Sequence, residues 1–346
     1  MQNIKVKNKS NQCSVIDFSG YSFSGKSAYF DLFCEFEGYK YFSKEFEFEL
    51  LRAPYGIITL YNCLVEDWSP IRSSEAIRSF KNIIKIYGGG NSLVSRLQSH
   101  GYNYDYYFPG FTKSSIEFIE SLTLAKWNAE WPFAFNNHSS YKIFIKKLLY
   151  RLGRKKMFET DIYLSRFEHE EFLSIVQKYF CDLFKNLLVN EKHTLLLNNA
   201  FETTNPQKSQ QFFSNAKSII VDRDPRDIYL SAKSTGIING LNVGNSAIGD
   251  GVENFISRFK LYRNNFINNE NTLRINFENL VLDYENTLDK IFIFLNENRS
   301  IHKYPKKYFD PEISKKGVGM WKNVDGQLKK DIDKIYLELK DYCLDI

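Results

Sequence analysis

The sequence predicts an α/β fold, in which a mostly parallel central sheet carries helices on both faces. Short apolar segments recur along the 346 residues, each is followed by turn-prone residues, and each turn leads into a segment with helical spacing of apolar side chains. Strands that alternate with helices in this way favour parallel pairing. The hydrophobic fraction of 43% can form the core of such a domain and excludes a disordered chain.

The chain begins with a strand, a glycine loop and a helix. The predicted strand covers 13–18, the loop covers 20–25, and the helix continues to about residue 36. Three later apolar segments and one amphipathic segment complete the pattern. They predict strands at 194–198, 218–222 and 272–276, and a closing helix at 327–342.

Between these segments lies a long region that is almost wholly helical in pattern. It contains predicted helices at 73–87, from Ser114 onward with a Ser114-x-x-Glu117 capping box, and at 168–189. We therefore expect a single domain over 1–346, with a helical insertion at 56–192 that serves as a cap for binding an acceptor substrate.

Composition excludes several classes of protein. Lysine and arginine outnumber aspartate and glutamate by 46 to 41, a small excess that mildly favours anionic ligands and does not indicate nucleic-acid binding. The five cysteines lack the spacing of a zinc site. The sequence also has no apolar segment of the roughly 18 residues that a membrane span needs and no signal-peptide pattern, so we expect a cytoplasmic protein. Nothing in the sequence indicates an oligomeric state.

The glycine loop matches the phosphate-binding pattern G-x-x-x-x-G-K-[ST] from Gly20 to Ser27. The glycines allow backbone N–H groups to surround a phosphate, and the start of the following helix adds a partial positive charge. Lys26 can reach oxygens on which negative charge develops. The residues predicted to bind phosphate are Gly20, Ser22, Ser24, Gly25, Lys26 and Ser27.

A second candidate site follows the 218–222 strand. There the string Arg223-Asp-Pro-Arg-Asp leads into a helix, and Ser231 lies eight residues after Arg223. This arrangement resembles the P-loop sulfotransferase superfamily of bacterial type, which uses 3′-phosphoadenosine 5′-phosphosulfate. In that family an arginine at the strand end and a serine eight residues later bind the 3′-phosphate, so the resemblance implies this role for Arg223 and Ser231.

Two further segments extend the resemblance. The stretch 274–280 looks like a segment that is mainly structural in the family, and 315–323 looks like its late cofactor loop, with Met320 where the family often has aspartate. The resemblance implies that Lys315, Lys316 and Gly317 contact the 3′-phosphate. It also implies a three-layer αβα fold and a donor that requires no metal.

The phosphate loop differs from the family at one position. The family places its basic residue two positions before the last glycine of the loop, whereas Phe23 stands there in this chain and Lys26 follows Gly25. That placement is typical of kinases, and Asp222 could then be a magnesium-binding Walker B aspartate. An ATP- and magnesium-dependent small-molecule kinase is therefore one alternative, and a nucleotide-binding protein without catalytic activity is a second.

Sulfuryl transfer needs a base that takes the acceptor proton. Some branches of the family place a catalytic glutamate about twenty residues after the phosphate loop, and alternating glutamates begin at that distance here. Glu49 is the first candidate and Glu47 the second, and on an extended segment both would lie on one face. Arg52 is expected to orient the carboxylate or the acceptor. Asn198, Asn199 and Glu202, at the carboxyl end of a strand, are candidates for contacts with the acceptor.

These observations together predict a sulfotransferase. It would move a sulfuryl group from 3′-phosphoadenosine 5′-phosphosulfate to an acceptor hydroxyl, which the resemblance indicates to be on a carbohydrate or polysaccharide. Lys26 would stabilise the leaving phosphate, and one of the two glutamates would be the base.

Overall fold

The computed structural model describes residues 13–44, 46–89, 102–131, 133, 139–153, 159–188, 193–235, 237–238, 241–264 and 269–345. They form two compact units. The first contains the chain up to Arg52 and from Phe184 onward, and the second is Ala53–Leu183. No helix of the described part is long and apolar enough to cross a membrane.

The described strands, in chain order, are β1 Ser14–Gly20, β2 Tyr39–Lys40, β3 Ala125–Glu130, β4 Glu159–Leu164, β5 Thr194–Asn198, β6 Asn215–Asp222, β7 Ile237–Ile238, β8 Leu241–Asn242 and β9 Thr272–Asn276. The α-helices are α1 Lys26–Phe33, α2 Ile57–Tyr61, α3 Pro70–Gly88, α4 Tyr104–Tyr107, α5 Phe111–Ser121, α6 Ser140–Arg151, α7 His169–Phe184, α8 Pro206–Gln210, α9 Pro225–Ser234, α10 Val243–Ile248, α11 Val252–Asn264, α12 Phe277–Leu282, α13 Tyr284–Leu295, α14 Pro311–Ser314 and α15 Gly326–Leu339. A π-helix at Asn62–Glu66 follows α2, and 3₁₀ turns cover Arg299–Ile301, Lys315–Gly317, Met320–Asn323 and Lys340–Tyr342.

The first unit is built on a five-stranded sheet in the order β2-β5-β1-β6-β9, and every pairing in it is parallel. Side chains on both faces of its strands are buried. On one face, Ile16, Phe18 and Ile219 pack with α1, α12 and α13, while neighbours that point the other way, such as Val15 and Ile220, are buried too. A sheet covered on both faces is the arrangement that parallel strands require, so the predicted α/β fold class is confirmed.

The strand register places the functional candidates at one edge of the sheet. Phe18 of β1 lies opposite Asn198 of β5, Gly20 opposite Val221 of β6, and Asp222 opposite Asn276 of β9. All four strands therefore end at the same edge, which is where ligands bind in open α/β sheets.

A buried glutamate fixes the long connection from α13 to the late loop. Glu35, fully buried just after α1, accepts hydrogen bonds from the backbone N–H groups of Lys306, Tyr308 and Phe309, at 2.7–3.0 Å. His302 Nε2 lies 2.8 Å from the same carboxylate. These contacts hold the connection against the end of α1.

The second unit is mainly helical but also contains a hairpin. Strands β3 and β4 pair antiparallel from Ala125 opposite Leu164 to Glu130 opposite Glu159. The almost wholly helical pattern expected for 56–192 therefore misses a pair of strands. The capping-box prediction is also wrong, because α5 begins at Phe111 after Gly110, which has φ 86°, and Ser114 lies inside the helix. The role of this unit as an acceptor-binding cap stays a prediction.

Candidate functional site

The glycine loop closes tightly between β1 and α1. Ser24 N–H donates to Tyr21 O at 3.0 Å, and Ala28 N–H donates to Gly25 O at 3.0 Å as α1 begins. Gly25 has φ 84°, and a Cβ there would lie 2.5 Å from the Phe277 ring. A Cβ on Gly20 would lie 2.5 Å from Val221 O. Both glycines are therefore needed for this loop to lie against the sheet edge.

Ser24 is the buried polar group of the loop. Its side chain is 1% exposed, and its hydroxyl has no hydrogen-bond partner among the described residues. A buried hydroxyl without a partner costs free energy unless a ligand supplies one. Ser22 and Ser27 are exposed at the same loop. The loop thus offers both backbone N–H groups and an unsatisfied hydroxyl, which suits an anionic ligand.

Lys26 is the centre of a polar cluster beside the loop. Its ammonium donates to Glu47 Oε1 at 3.0 Å and to Asn198 Oδ1 at 2.6 Å. Asn199 Nδ2 donates to the other oxygen of Glu47, at 3.1 Å. One lysine from α1, one carboxylate from the 46–50 segment and two amides from the end of β5 are therefore brought together.

Glu47 lies in a segment outside the regular strands, and Glu49 lies where a turn begins. Phe46 and Phe48 are buried, and Phe48 N–H donates to Asn198 O at 3.1 Å, which holds the segment against β5. The alternation of phenylalanine and glutamate still separates the two kinds of side chain. The phenylalanines are in the core, and Glu47 and Glu49 are half-buried at the site.

The two glutamates have different partners. Burial raises the pKa of Glu47, but the charge and hydrogen bond of Lys26, with further help from Asn199 and Arg52, outweigh burial and leave this pKa below its usual value. Glu49 instead lies 3.2 Å from Arg52, which is 3.9 Å from Glu47. Glu47 is thus the carboxylate that contacts Lys26, while Arg52 lies between the two glutamates.

None of the described contacts brings Glu202 to this cluster. Its backbone N–H donates to Ser209 Oγ at 3.0 Å, four residues beyond Asn198 in the connection to α8. Of the three predicted acceptor contacts from this segment, the structure brings Asn198 and Asn199 to Lys26 and Glu47.

Arg223 forms the other end of the site. Its guanidinium donates to Phe23 O in the glycine loop at 2.8 Å and to Gly317 O in the late loop at 2.6 Å, and it lies 5.2 Å from the centre of the Phe277 ring. It is only 9% exposed, and its Nε has no partner among the described residues. Burial lowers the pKa of Arg223, but an arginine remains charged in proteins.

Ser231 and Arg223 meet at the same atom. Ser231 Oγ lies 3.8 Å from Met320 Sδ, and Arg223 lies 3.6 Å from that sulfur. A thioether is a weak hydrogen-bond acceptor. Gly317 contributes its carbonyl to Arg223, whereas Lys315 pairs with Glu312 at 2.7 Å and both Lys315 and Lys316 are exposed.

The rest of the Arg223-Asp-Pro-Arg-Asp string supports the fold. Arg226 makes a fully buried two-point pair with Asp224, with its Nε 3.0 Å from Oδ1 and its Nη2 2.6 Å from Oδ2, and it lies 3.6 Å from the Trp321 ring centre. Asp227 accepts the N–H groups of Gly319 and Trp321. The string therefore fixes the late loop in position.

Two further acidic residues lie near Arg223. Glu278 accepts Asp224 N–H at 2.9 Å, and burial raises the pKa of Glu278 to about 7. Asp222 is paired with Arg263 and, at 3.3 Å, with Arg274. The carboxylate considered as a Walker B ligand is thus already engaged by two arginines.

Sequence reasoning missed several residues of the site. The sequence assigns no site role to Met320, to Glu278 in the segment 274–280, or to Asp17, a fully buried carboxylate within the otherwise apolar strand β1. An acidic residue between isoleucine and phenylalanine in a buried strand is the signal that could have identified it, because an unpaired charge there is costly.

No family model and no curated protein matches the chain. Solved structures are similar to it, and those named here are sulfotransferases. They include the sulfotransferase domain from the curacin biosynthetic pathway, at 14% identity over 95% of this chain and 98% of that one, with a TM-score of 0.38. The sulfotransferase domain from the Synechococcus PCC 7002 olefin synthase has 13% identity over 96% of each chain, with a TM-score of 0.37.

Sulfotransferase STF9 from Mycobacterium avium has 11% identity over 97% of this chain and 78% of that one, with a TM-score of 0.36. At such identities and TM-scores, only the residues of this chain bear on what it does.

Proposed function

We propose that the protein is a sulfotransferase that moves a sulfuryl group from 3′-phosphoadenosine 5′-phosphosulfate to an acceptor hydroxyl. One observation carries the proposal: Arg223 and Ser231 converge on a weak acceptor, Met320 Sδ, at a point separate from the Lys26 cluster. The site therefore offers two cationic ends. A nucleotide with phosphate groups at both its 3′ and 5′ positions can use both, whereas ATP has phosphates at the 5′ position alone.

The residues present fit such a donor. The orphaned hydroxyl of Ser24 and the loop N–H groups suit the 5′-phosphosulfate, and the unpartnered Nε of Arg223 suits the 3′-phosphate. The two carbonyls that now accept from Arg223 are uncharged, so a phosphate would be the stronger partner. Lys315 and Lys316 would add charge at the exposed side of the late loop.

Lys26 and Glu47 would carry the chemical step. The acceptor oxygen forms a bond to sulfur as the bond between sulfur and the 5′-phosphate oxygen breaks, and the electron pair of that bond stays on the phosphate. Lys26 stabilises the charge that develops there, and Glu47 takes the acceptor proton. Arg52, between the two glutamates, orients the carboxylate. Glu49, the first candidate from the sequence, would support Arg52.

The contact between Lys26 and Glu47 gives the two roles a physical connection. In the structure, Lys26 lowers the pKa of Glu47, which makes the carboxylate a weaker base. As charge grows on the leaving phosphate, the ammonium is attracted to that charge. The pKa of Glu47 then rises as the proton arrives, so the carboxylate becomes a better base when it is needed.

For the acceptor we propose a hydroxyl of a carbohydrate, as the sequence resemblance implies. For the location we propose the cytoplasm, which is the expectation from the sequence patterns. The kinase alternative is weakened by Asp222, because its carboxylate is paired with Arg263 and Arg274.

Ligand binding to the purified protein tests the proposal. Adenosine 3′,5′-bisphosphate, with a chelator present, should raise the melting temperature. At 100 times the dissociation constant the added stability is about 2.7 kcal/mol. Adenosine 5′-monophosphate is the matched control that lacks the 3′-phosphate, and it should bind more weakly. If magnesium ATP stabilises the protein and the bisphosphate does not, the kinase alternative replaces the proposal.

A further inference from the structure

We propose that Asp17 is a positioning residue of this site, which holds Asn198 and Asn199 in the one arrangement that lets both reach the Lys26–Glu47 pair. The inference rests on the proposed function, because it concerns the same pair. Asp17 touches neither donor nor acceptor. It would act through the backbone of the turn that follows β5.

The two asparagines are placed in an unusual way. Consecutive residues of a strand point to opposite faces of the sheet, so neighbours in sequence do not normally serve one site. Here Asn198 contacts Lys26, and Asn199 contacts Glu47. The change of direction occurs at Asn199, whose φ is 59°, in the left-handed region. Asparagine tolerates this conformation better than most residues, but the surroundings must still hold it there.

Asp17 supplies that hold. Its Oδ1 accepts the N–H of Ala200 at 2.7 Å, and its Oδ2 accepts the N–H of Phe201 at 3.3 Å. These are the two residues that directly follow Asn199. Asn199 N–H itself donates to Phe18 O at 2.9 Å, which ties the turn to the next residue of β1. One side chain of β1 therefore fixes the turn immediately after the two asparagines.

A carboxylate at this buried position costs free energy. Asp17 is fully buried, and burial raises the pKa of Asp17 to about 6, against the hydrogen bonds from Ser19, Ala200 and Phe201 and the charge of Arg52, which lower it. A neutral side chain would avoid this penalty. Above about pH 6 the group is nevertheless charged, and a charged carboxylate is the stronger acceptor for the two N–H groups.

The experiment measures transfer from 3′-phosphoadenosine 5′-phosphosulfate to water, a poor acceptor that requires no knowledge of the natural one. The release of adenosine 3′,5′-bisphosphate gives the rate, and the affinity for that product shows that the donor site is intact. Asp17→Asn and Asn199→Ala should each lower the rate by roughly 10- to 100-fold, because small displacements of reacting groups are costly. The affinity for the bisphosphate should change by less than about threefold.

The double variant separates positioning from general support of the fold. If Asp17 acts through the turn, Asp17→Asn should cost little further rate in the Asn199→Ala background, since the two changes interrupt one chain of contacts. Ser19→Ala is the matched control. It removes a donor to the same carboxylate and leaves the turn contacts in place. Because losing this hydrogen bond raises the pKa of Asp17, the rates are compared well above pH 6, where the control should stay within about twofold of the original. The inference would be overturned if the losses of rate in the two single variants multiplied in the double variant, or if the rate of Asp17→Asn were unchanged.

A pH profile keeps the test decisive if Asp17→Asn does not fold. In the original protein the rate should fall as the pH is lowered through about 6, where Asp17 takes up a proton. In Asn199→Ala the part of this fall that comes from Asp17 should be absent, so the two profiles should differ near pH 6. Glu278, whose pKa is about 7, contributes equally to both proteins, and identical profiles would therefore contradict the inference. If the original protein neither binds the bisphosphate nor releases it, the proposed function fails first and the inference fails with it.

Discussion

The two ends of the site are built in opposite ways. At the Lys26 end, the candidate functional groups are half-buried and contact one another, as in the 3.0 Å contact between Lys26 and Glu47. At the Arg223 end, the guanidinium is nearly buried and contacts backbone carbonyls, while a neighbouring buried ion pair supports the loops around it. The first end has groups that can exchange partners during a reaction. Under the proposed function, the second end would be a fixed receptor for an anion.

The largest effect should come from the reactive end. Glu47→Gln should lower the rate of sulfuryl transfer by about 10² to 10⁴, the usual contribution of a general base. Glu49→Gln is the matched control and should lose less than about tenfold, because Glu49 pairs with Arg52 and not with Lys26. The measurement is single-turnover transfer from the donor. Equal losses in the two variants would remove the distinction between the glutamates.

The fixed end should instead respond in stability. Arg226→Ala leaves Asp224 buried and charged without its partner, so the free energy of unfolding should fall by about 3–5 kcal/mol. Chemical denaturation measures this change. If the variant is as stable as the original protein, the 2.6 Å pair between Arg226 and Asp224 does not support the loops in solution.

Arg223→Ala tests binding at the fixed end without removing that support. The affinity for adenosine 3′,5′-bisphosphate should fall by the ~1.5–3 kcal/mol of a charge-assisted hydrogen bond. The affinity for adenosine 5′-monophosphate should hardly change, and Lys316→Ala, at an exposed position, should have a small effect. Calorimetry with both nucleotides decides the matter. An equal loss for both would place Arg223 at the 5′ end instead.

The smallest effect should be on the pH dependence of the free energy of unfolding, through Glu278. Its pKa is raised in the folded protein from 4.5 to about 7, so the folded state binds the proton more tightly than the unfolded state. This stabilisation is complete below about pH 4.5 and is lost as the pH rises through 7. Glu278→Gln should therefore flatten the dependence of the free energy of unfolding on pH between these values, by on the order of 1–3 kcal/mol. A curve of unchanged slope would show that Glu278 does not titrate there.

The sequence predicted the parallel sheet well, because buried strands such as 194–198 and 218–222 are mostly apolar and are followed by turn residues. It also predicted which segments meet at the sheet edge. The sequence could not predict contacts that depend on how far a side chain extends and in which direction it points. The choice of Glu47 over Glu49 as the partner of Lys26 depends on the hydrogen bond from Phe48 N–H to Asn198 O, which ties this segment to β5, and nothing in the spacing indicates that contact.

The same limit applies to roles within one motif. Arg223 and Arg226 are separated by two residues in a string that looks uniformly charged, yet one contacts loop carbonyls and the other a buried aspartate. The start of α9 at Pro225 turns the chain between them. The hairpin of β3 and β4 was missed for a different reason, since β3 is largely exposed and neither strand has a strong apolar pattern.

The hold of Glu35 on the connection after α13 bears on how the chain meets proteases. Lys303, Lys306 and Lys307 are exposed, so the peptide bonds that follow them are open to trypsin by sequence. The N–H groups of those three bonds are all engaged, Tyr304 with Glu35 O, Lys307 with Tyr304 O and Tyr308 with the Glu35 carboxylate. Cleavage requires the segment to leave these partners and extend into the protease. The rate of cutting at this connection is therefore a measure of how often it lifts away from α1.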